Sequence, residues 1–405
     1  MSCRIVRFIV ATLAAVLVFT VTVFTNTATS SAAEPNTLTG AELDAGWILL
    51  FDGESLFGWR ASSDVDWSVQ DGAIHASEGE KGLLCTTAQW GNFELKLQFR
   101  SALGTNSGVF LRTPPKLVDD HHRFYEVNIA DQDSSDFPTG SIVGRAKGAA
   151  VSDSEDWQTM DITADGGRIT VKIDGRRTID YNDPRPLGRG YIGLQFNQGA
   201  VAFRDIKLRP LRIEPIFNGR NLDGWHMIER FRGGKPTKME VEVTEDGAMR
   251  VTNGPGAIET DEQWEDFVMQ LQIFSAGEEL NSGVFFRTIP GEDWAGYESQ
   301  IHNGTVGDTD QPNNCGTGGI WKRQDARRIV AEDYEWFHKT INMVDRHIAV
   351  WVEGIQVSDF TDRREPAENP RQGYRAAAGT IQFQGHDPTT DLRFRAIEIG
   401  EVPSR

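Results

Sequence analysis

Along most of this chain, apolar and polar residues alternate over short runs, and the runs come in pairs. Trp67 to His75 reads WSVQDGAIH and Val241 to Val251 reads VEVTEDGAMRV. Alternation on both sides of an Asp-Gly predicts a β-hairpin in each case. Phe93 to Phe99 (FELKLQF) matches Phe267 to Ile273 (FVMQLQI), and Arg168 to Gly175 (RITVKIDG) matches His347 to Gly354 (HIAVWVEG). Between these lie Asn106 to Arg112, NSGVFLR, and Asn281 to Arg287, NSGVFFR, which differ at one position. No stretch of any length carries a helical period, so the expected class is all-β. A copy of roughly 170 residues is domain-sized and too long for a solenoid unit. Two tandem β-sandwiches are expected, over residues 40–211 and 213–402. Arg209-Pro-Leu-Arg-Ile-Glu-Pro215 is a short, Pro-stiffened link that holds them together.

The first 33 residues break the pattern. Arg4 and Arg7 precede an apolar run from Phe8 to Phe24, which gives way to Ser31-Ala32-Ala33. That order predicts a secretory signal cleaved after Ala33, and hence a periplasmic or secreted protein. An uncleaved membrane anchor is the competing reading, since the run is nearly long enough to span. Loss of residues 1–33 removes two arginines and no acid, so the formal net charge goes from -18 to -20. Such a protein is repelled by phosphate backbones and anionic lipid, which disfavours nucleic acid and membrane surfaces as partners. A neutral or cationic small substrate, or another protein, fits better, and the oligomeric state is left open. Beyond residue 33 the cysteines are Cys85 and Cys315. A disulfide between the halves is possible in an oxidising compartment, though two unpaired buried thiols are favoured. The cysteines show no metal-ligand spacing. The acidic run Asp131 to Asp136 offers hard oxygens, so calcium or a similar divalent ion is a possible cofactor without a recognised loop to hold it.

Several elements together are diagnostic. Both copies open on Phe-Asp-Gly or Phe-Asn-Gly, then Leu and Gly-Trp, at Phe51 to Trp59 and Phe217 to Trp225. The NSGVF strand follows, then Tyr125-Glu-Val-Asn-Ile129 or Tyr297-Glu-Ser-Gln-Ile301, then Thr139-Gly-Ser-Ile142 or Thr317-Gly-Gly-Ile320. Phe203-Arg-Asp-Ile206 or Phe394-Arg-Ala-Ile397 closes each copy. This set resembles the 3-keto-disaccharide hydrolase domain family, twice over. The resemblance implies concanavalin A-like jelly-roll sandwiches with a sugar site on a concave sheet face, and activity on 3-keto-glycosides.

A ketone at C3 acidifies the hydrogen on C2, so a base can take it, the C1 oxygen can leave, and water can add to the alkene. This route needs a general base, a group that stabilises the enolate oxygen, and an acid for the leaving group. Alternation on the Tyr297 strand puts Glu298, Gln300 and His302 on one face. His386 and Asp387 sit in a Gly-containing segment near the end of the same copy. The expected catalytic residues are Glu298, His302, His386 and Arg287, with Arg287 as the cation. Gln300, Asn281, Trp321 and Asp387 are expected to bind substrate, as are Arg112, Glu126 and Asn128 of the first copy. Trp321 or Trp351 would supply a stacking face. The plainer readings are that Glu298 is a structural partner of Arg287 and that the tryptophans are core. The first copy lacks both histidines, so the second is the expected active copy. A lectin-like binding protein is the alternative; an endo-glycosidase is disfavoured because a second carboxylate is missing from the strand.

Overall fold

Each Phe93-type strand alternates cleanly, with Phe93, Leu95, Leu97 and Phe99 inside and polar residues outside, so one sheet face must be covered by another sheet. A computed structural model of the protein, describing residues 34–133, 135–231 and 234–405, shows how. The expected leader, residues 1–33, lies outside the described residues. No helix among the described residues is long and apolar enough to cross a membrane.

The back sheet of the first sandwich runs, edge to edge, Arg176–Asn182, Arg168–Ile173, Gln158–Asp165, Phe93–Ser101, Val201–Pro210, Ala73–Ala76, Ser68–Gln70. Its front sheet runs Trp59–Ala61, Gly82–Thr86, Tyr191–Gln198, Asn106–Thr113, Tyr125–Ala130. The second half repeats this order strand for strand. Its front sheet is Trp225–Met227, Gly256–Thr260, Thr380–Gly385, Ser282–Thr288, Tyr297–Ile301. The described residues are therefore all-β apart from short helical turns, built as two tandem jelly-roll sandwiches.

The two copies share core. Val268, Val344, Ala349 and Trp351 of the second half pack into the hydrophobic cluster of the first. Trp90 and Trp351 meet with ring centroids 5.6 Å apart, and Trp351 Nε1 donates to the Leu49 carbonyl. Arg189 pairs with Asp266 and Asp345, and Arg327 with Asp52. Trp351 is thus structural and offers no face to a sugar. Cys85 and Cys315 are unbonded buried thiols, both pushed up to about 12 by desolvation.

Candidate active site

On the front sheet of the second sandwich, Ser282, Val284 and Phe286 face the core, leaving Gly283 and Phe285 on the outer face. Strand register carries a row across that face: His226 beside Glu259, Glu259 beside Gln382, Gln382 beside Phe285, and Phe285 beside Glu298. Gln300 and His302 extend the Glu298 side of the row, and Gln384 and His386 extend the Gln382 side.

Glu298 stands at one edge, in a pocket of about 280 Å³ with Trp321, Lys322, Arg323 and Arg371. Arg371 Nη2 approaches Glu298 Oε2 at 3.4 Å, while Arg371 Nε donates to the Trp294 carbonyl. The Trp321 amide bonds the Glu298 carbonyl, which brings the indole to this edge, and the Lys322 ammonium lies 5.9 Å from that ring. Gly283 makes room for the acid: a Cβ there would lie 2.8 Å from Glu298 Cγ.

Trp294, on the segment 289–296, covers the middle of the face. Its ring lies parallel to those of Phe285 and His386, with centroids 6.3 and 5.9 Å away. Its amide donates to Gln382 Oε1, and Gly291 N donates to Glu259 Oε1. Glu259 is buried and also accepts from Thr380 and Gln382. His226 joins Glu259 to Asp261, at 2.9 and 2.6 Å.

His386 has both ring nitrogens engaged, Nδ1 with Asp387 at 2.8 Å and Nε2 with Asn281 Nδ2 at 3.0 Å. Gln300 Nε2 donates to Asn281 Oδ1. Asn281, Gln300, His386 and Asp387 therefore form one connected polar group. His302 is buried, its Nδ1 accepting from Gly304 N, and desolvation pushes its imidazole below the usual range despite nearby Glu279 and Asp333. Among the described residues, no group of three or more His, Cys, Asp and Glu is arranged to hold a metal ion.

Arg287 leaves this face, which corrects its assignment as the cation. It adopts φ +46° where the register with the Thr380 strand shifts, so alternation ends at Phe286. Its fully buried guanidinium donates to the carbonyls of Glu265, Asp345 and Arg375 and to Asp266 Oδ1. Arg112 does the same in the first copy, at φ +51°, bonding the carbonyls of Gly91, Gly166 and Leu187. It is a scaffold residue and not a sugar ligand. Each bulge needs a glycine opposite: a Cβ at Gly379 would lie 2.4 Å from Arg287 C, and one at Gly190 2.3 Å from Arg112 C. Glu298 is therefore not the partner of Arg287.

The corresponding face of the first sandwich is closed by apolar packing. Leu83, Cys85, Phe110 and Phe124 form a small cluster there, capped by Leu117 and Val118. Glu126 is retained but buried, and desolvation raises its carboxyl to about 7. Asn128 is tied to the Phe137 carbonyl.

Lys339 was not anticipated. Phe337, Ile341 and Met343 of its strand point into the core, and Lys339 shares their parity. It is fully buried, donates from Nζ to the Gln300 carbonyl at 2.8 Å, and is depressed to about 7 by desolvation, opposed by Cys315 and Glu298. The register equates it with Met160: Leu97 pairs Met160, as Leu271 pairs Lys339. A charged residue at core parity in one copy only was the available signal. Trp294 and Arg371 lie on loops between strands, where alternation gives no direction, and gave none.

The family model for the 3-keto-alpha-glucoside-1,2-lyase-like domain matches residues 46–209 and again 212–400. Over 93 residues the chain is 31% identical to a 3-keto-disaccharide hydrolase of Bacteroides thetaiotaomicron. That match spans 18% of this chain and 32% of the relative, about a third of its length. Among solved structures, a protein of Parabacteroides distasonis proposed to be a glycosyl hydrolase aligns at 19% identity and TM-score 0.39, over 44% of this chain and 100% of that one. A Bacillus subtilis carbohydrate-binding module, CBM66, aligns at 16% identity and TM-score 0.30, over 38% of this chain and 95% of its own. With both halves matched over nearly their full length, the chain belongs to the 3-keto-alpha-glucoside-1,2-lyase-like domain family and carries its domain twice.

Proposed function

We propose that this protein is an exported enzyme that cleaves the glycosidic bond of 3-keto-disaccharides or 3-keto-glucosides, with its active site on the front sheet of the second sandwich. Family membership makes it a carbohydrate-active, glycosyl hydrolase-like protein. The observation that carries the finer reading is the pocket in which one carboxylate, Glu298, is ringed by Lys322, Arg323 and Arg371 beside the Trp321 indole. A retaining or inverting glycosidase needs two carboxylates flanking the bond. One carboxylate among cations suits proton removal next to a ketone, because the cations stabilise charge that appears only once the enolate forms.

In this mechanism Glu298 takes the proton from C2 and the electron pair moves onto the C3 oxygen, facing Lys322 or Arg323. The enolate collapses, the C1–O bond breaks, and the aglycone leaves as an alcohol with the proton returned by Glu298. Water then adds its oxygen to C1 and its hydrogen to C2, giving the free 3-keto sugar. Arg371 holds Glu298 in place and Trp321 takes a sugar face. The group of Asn281, Gln300, His386 and Asp387 binds hydroxyls further along the groove, and His302 fixes that end by its contact with Gly304.

The test uses an aryl 3-keto-glucoside and its parent glucoside, with and without chelator, following phenol release together with deuterium exchange at C2. Release from the keto sugar alone, with exchange and with loss of both in Glu298→Gln, is expected. Release from neither sugar would sink the enzyme reading, and sugar retention without turnover would leave a lectin-like binding protein. Full activity in Glu298→Gln would remove that residue from the site.

A further inference from the structure

The lining of the Glu298 pocket holds three cations, Lys322, Arg323 and Arg371, and one acid, Glu298, in a chain whose formal net charge is -18. Arg371 is the cation set against that acid. The Arg323 guanidinium instead donates to two carbonyls of the pocket wall, those of Lys322 and Arg371, at 3.0 and 2.9 Å. The Lys322 side chain is exposed, with its ammonium over the Trp321 ring. Neither Lys322 nor Arg323 forms an ion pair with a carboxylate among the described residues. Desolvation and the neighbouring Arg364 press the Arg323 guanidinium below its usual range, against the pull of Asp362 and Tyr297.

The first copy puts the same arginine to a different use. The Val143 amide bonds the Glu126 carbonyl as the Trp321 amide bonds that of Glu298, and the bridge between Ile142 and Ala146 matches that between Ile320 and Gln324. Gly144 and Arg145 therefore stand where the second copy has Lys322 and Arg323. Arg145 is neutralised, its Nη1 lying 2.7 Å from Asp183 Oδ2, and the same acid accepts from the Tyr125 hydroxyl. The corresponding acid of the second copy, Asp362, accepts from the Tyr297 hydroxyl but is held by Arg364, through Nε at 2.9 Å and Nη2 at 2.6 Å. Arg323 is thereby left to the Glu298 pocket, and a lysine stands beside it where the first copy has glycine. Fixed positive charge with no acid of its own favours a ligand that brings one.

We propose, resting on the reading of Glu298 as the base, that the substrate of this site is an anionic 3-keto-glycoside, with one carboxylate on the aglycone or at C6 that pairs with Lys322 or Arg323. The enolate oxygen uses one of these two cations and the carboxylate the other. A phosphate monoester would bring nearly two negative charges where one cation is to spare.

The test compares 4-(carboxymethyl)phenyl 3-keto-glucoside with its methyl ester, whose leaving groups are nearly equal in acidity, and phenyl 3-keto-glucuronide with phenyl 3-keto-glucoside. In one pair the acid should exceed its neutral partner by about tenfold in kcat/KM, through KM, and that pair places the carboxylate on the aglycone or at C6. Lys322→Gln or Arg323→Gln should remove the preference, read as the ratio within a pair so that a general loss of rate or of folded protein cancels. Equal turnover within both pairs, or a preference kept in both variants, would overturn the proposal while the enzyme reading stands. If no keto sugar is turned over, titration with the parent glycosides separates the two claims. Tighter binding of the acid by a similar factor, lost in one of the variants, upholds carboxylate recognition and sinks the enzyme reading alone; equal binding or none overturns both.

Discussion

Lys339→Met places in the second sandwich the residue that the first already has at that position, and its consequence for stability has a definite pH signature. The folded-state pKa is about 7 against an ordinary 10.5. Above pH 10.5 the amine is neutral whether folded or unfolded and contributes no penalty. As pH falls towards 7, the unfolded chain takes up a proton that the folded chain refuses, so stability drops by about 1.36 kcal/mol per pH unit. The full penalty, reached below pH 7, is about 5 kcal/mol. Removing the ammonium does not orphan its acceptor, because the Gln300 carbonyl also receives the Gly318 amide. Urea denaturation of both proteins at half-unit intervals from pH 7 to 10 isolates the effect, since other titrating groups cancel in the difference. The variant should be the more stable near neutrality, and its advantage should shrink by about 1 kcal/mol per pH unit on the way up. Two curves that stay parallel would refute a buried, titrating Lys339.

Gly283→Ala should fold but lose about tenfold to hundredfold in kcat on the aryl 3-keto-glucoside, because the new Cβ must displace Glu298 and small misplacements of a catalytic group are costly; unchanged kcat would put the base elsewhere. Arg287→Met should cost about 3–5 kcal/mol by urea denaturation, since it leaves three buried carbonyls and Asp266 short of a donor. It should leave KM for the keto sugar unchanged in the folded fraction, and an effect confined to KM would return Arg287 to the site. Glu126 has a raised folded pKa, so its contribution to stability is fully present below pH 4.5 and is lost as pH rises through about 7. Glu126→Gln should therefore gain on the parent by about 3 kcal/mol between pH 4.5 and 8, measured by thermal or urea melts.

Topology was legible because it was written twice. Alternation in FELKLQF and FVMQLQI, with Asp-Gly between runs, fixes which strands form and which faces are buried, and the repeat shows that both halves solve the same packing problem. Glu298, Gln300 and His302 could be assigned to one face by parity alone. Arg287 could not, because a single residue at positive φ reverses the direction that parity predicts, and an Arg gives no warning of that conformation. The Trp294 segment and Arg371 belong to loops, where no periodicity relates sequence position to direction. Closure of the first copy's groove was also hidden. Leu117, Val118 and Phe124 sit among polar residues in the sequence and meet Phe110 only in the fold.

The Trp90–Trp351 contact and the side chains that cross with it bear on how a duplicated gene can diverge. Val268, Val344 and Ala349 pack against the first half's core, so cutting the chain near residue 211 would uncover apolar surface on each piece. The first half can lose its groove and its histidines without becoming dispensable, because its partner's solubility depends on it. Selection on the second copy's chemistry would then preserve the first as a permanently attached chaperone.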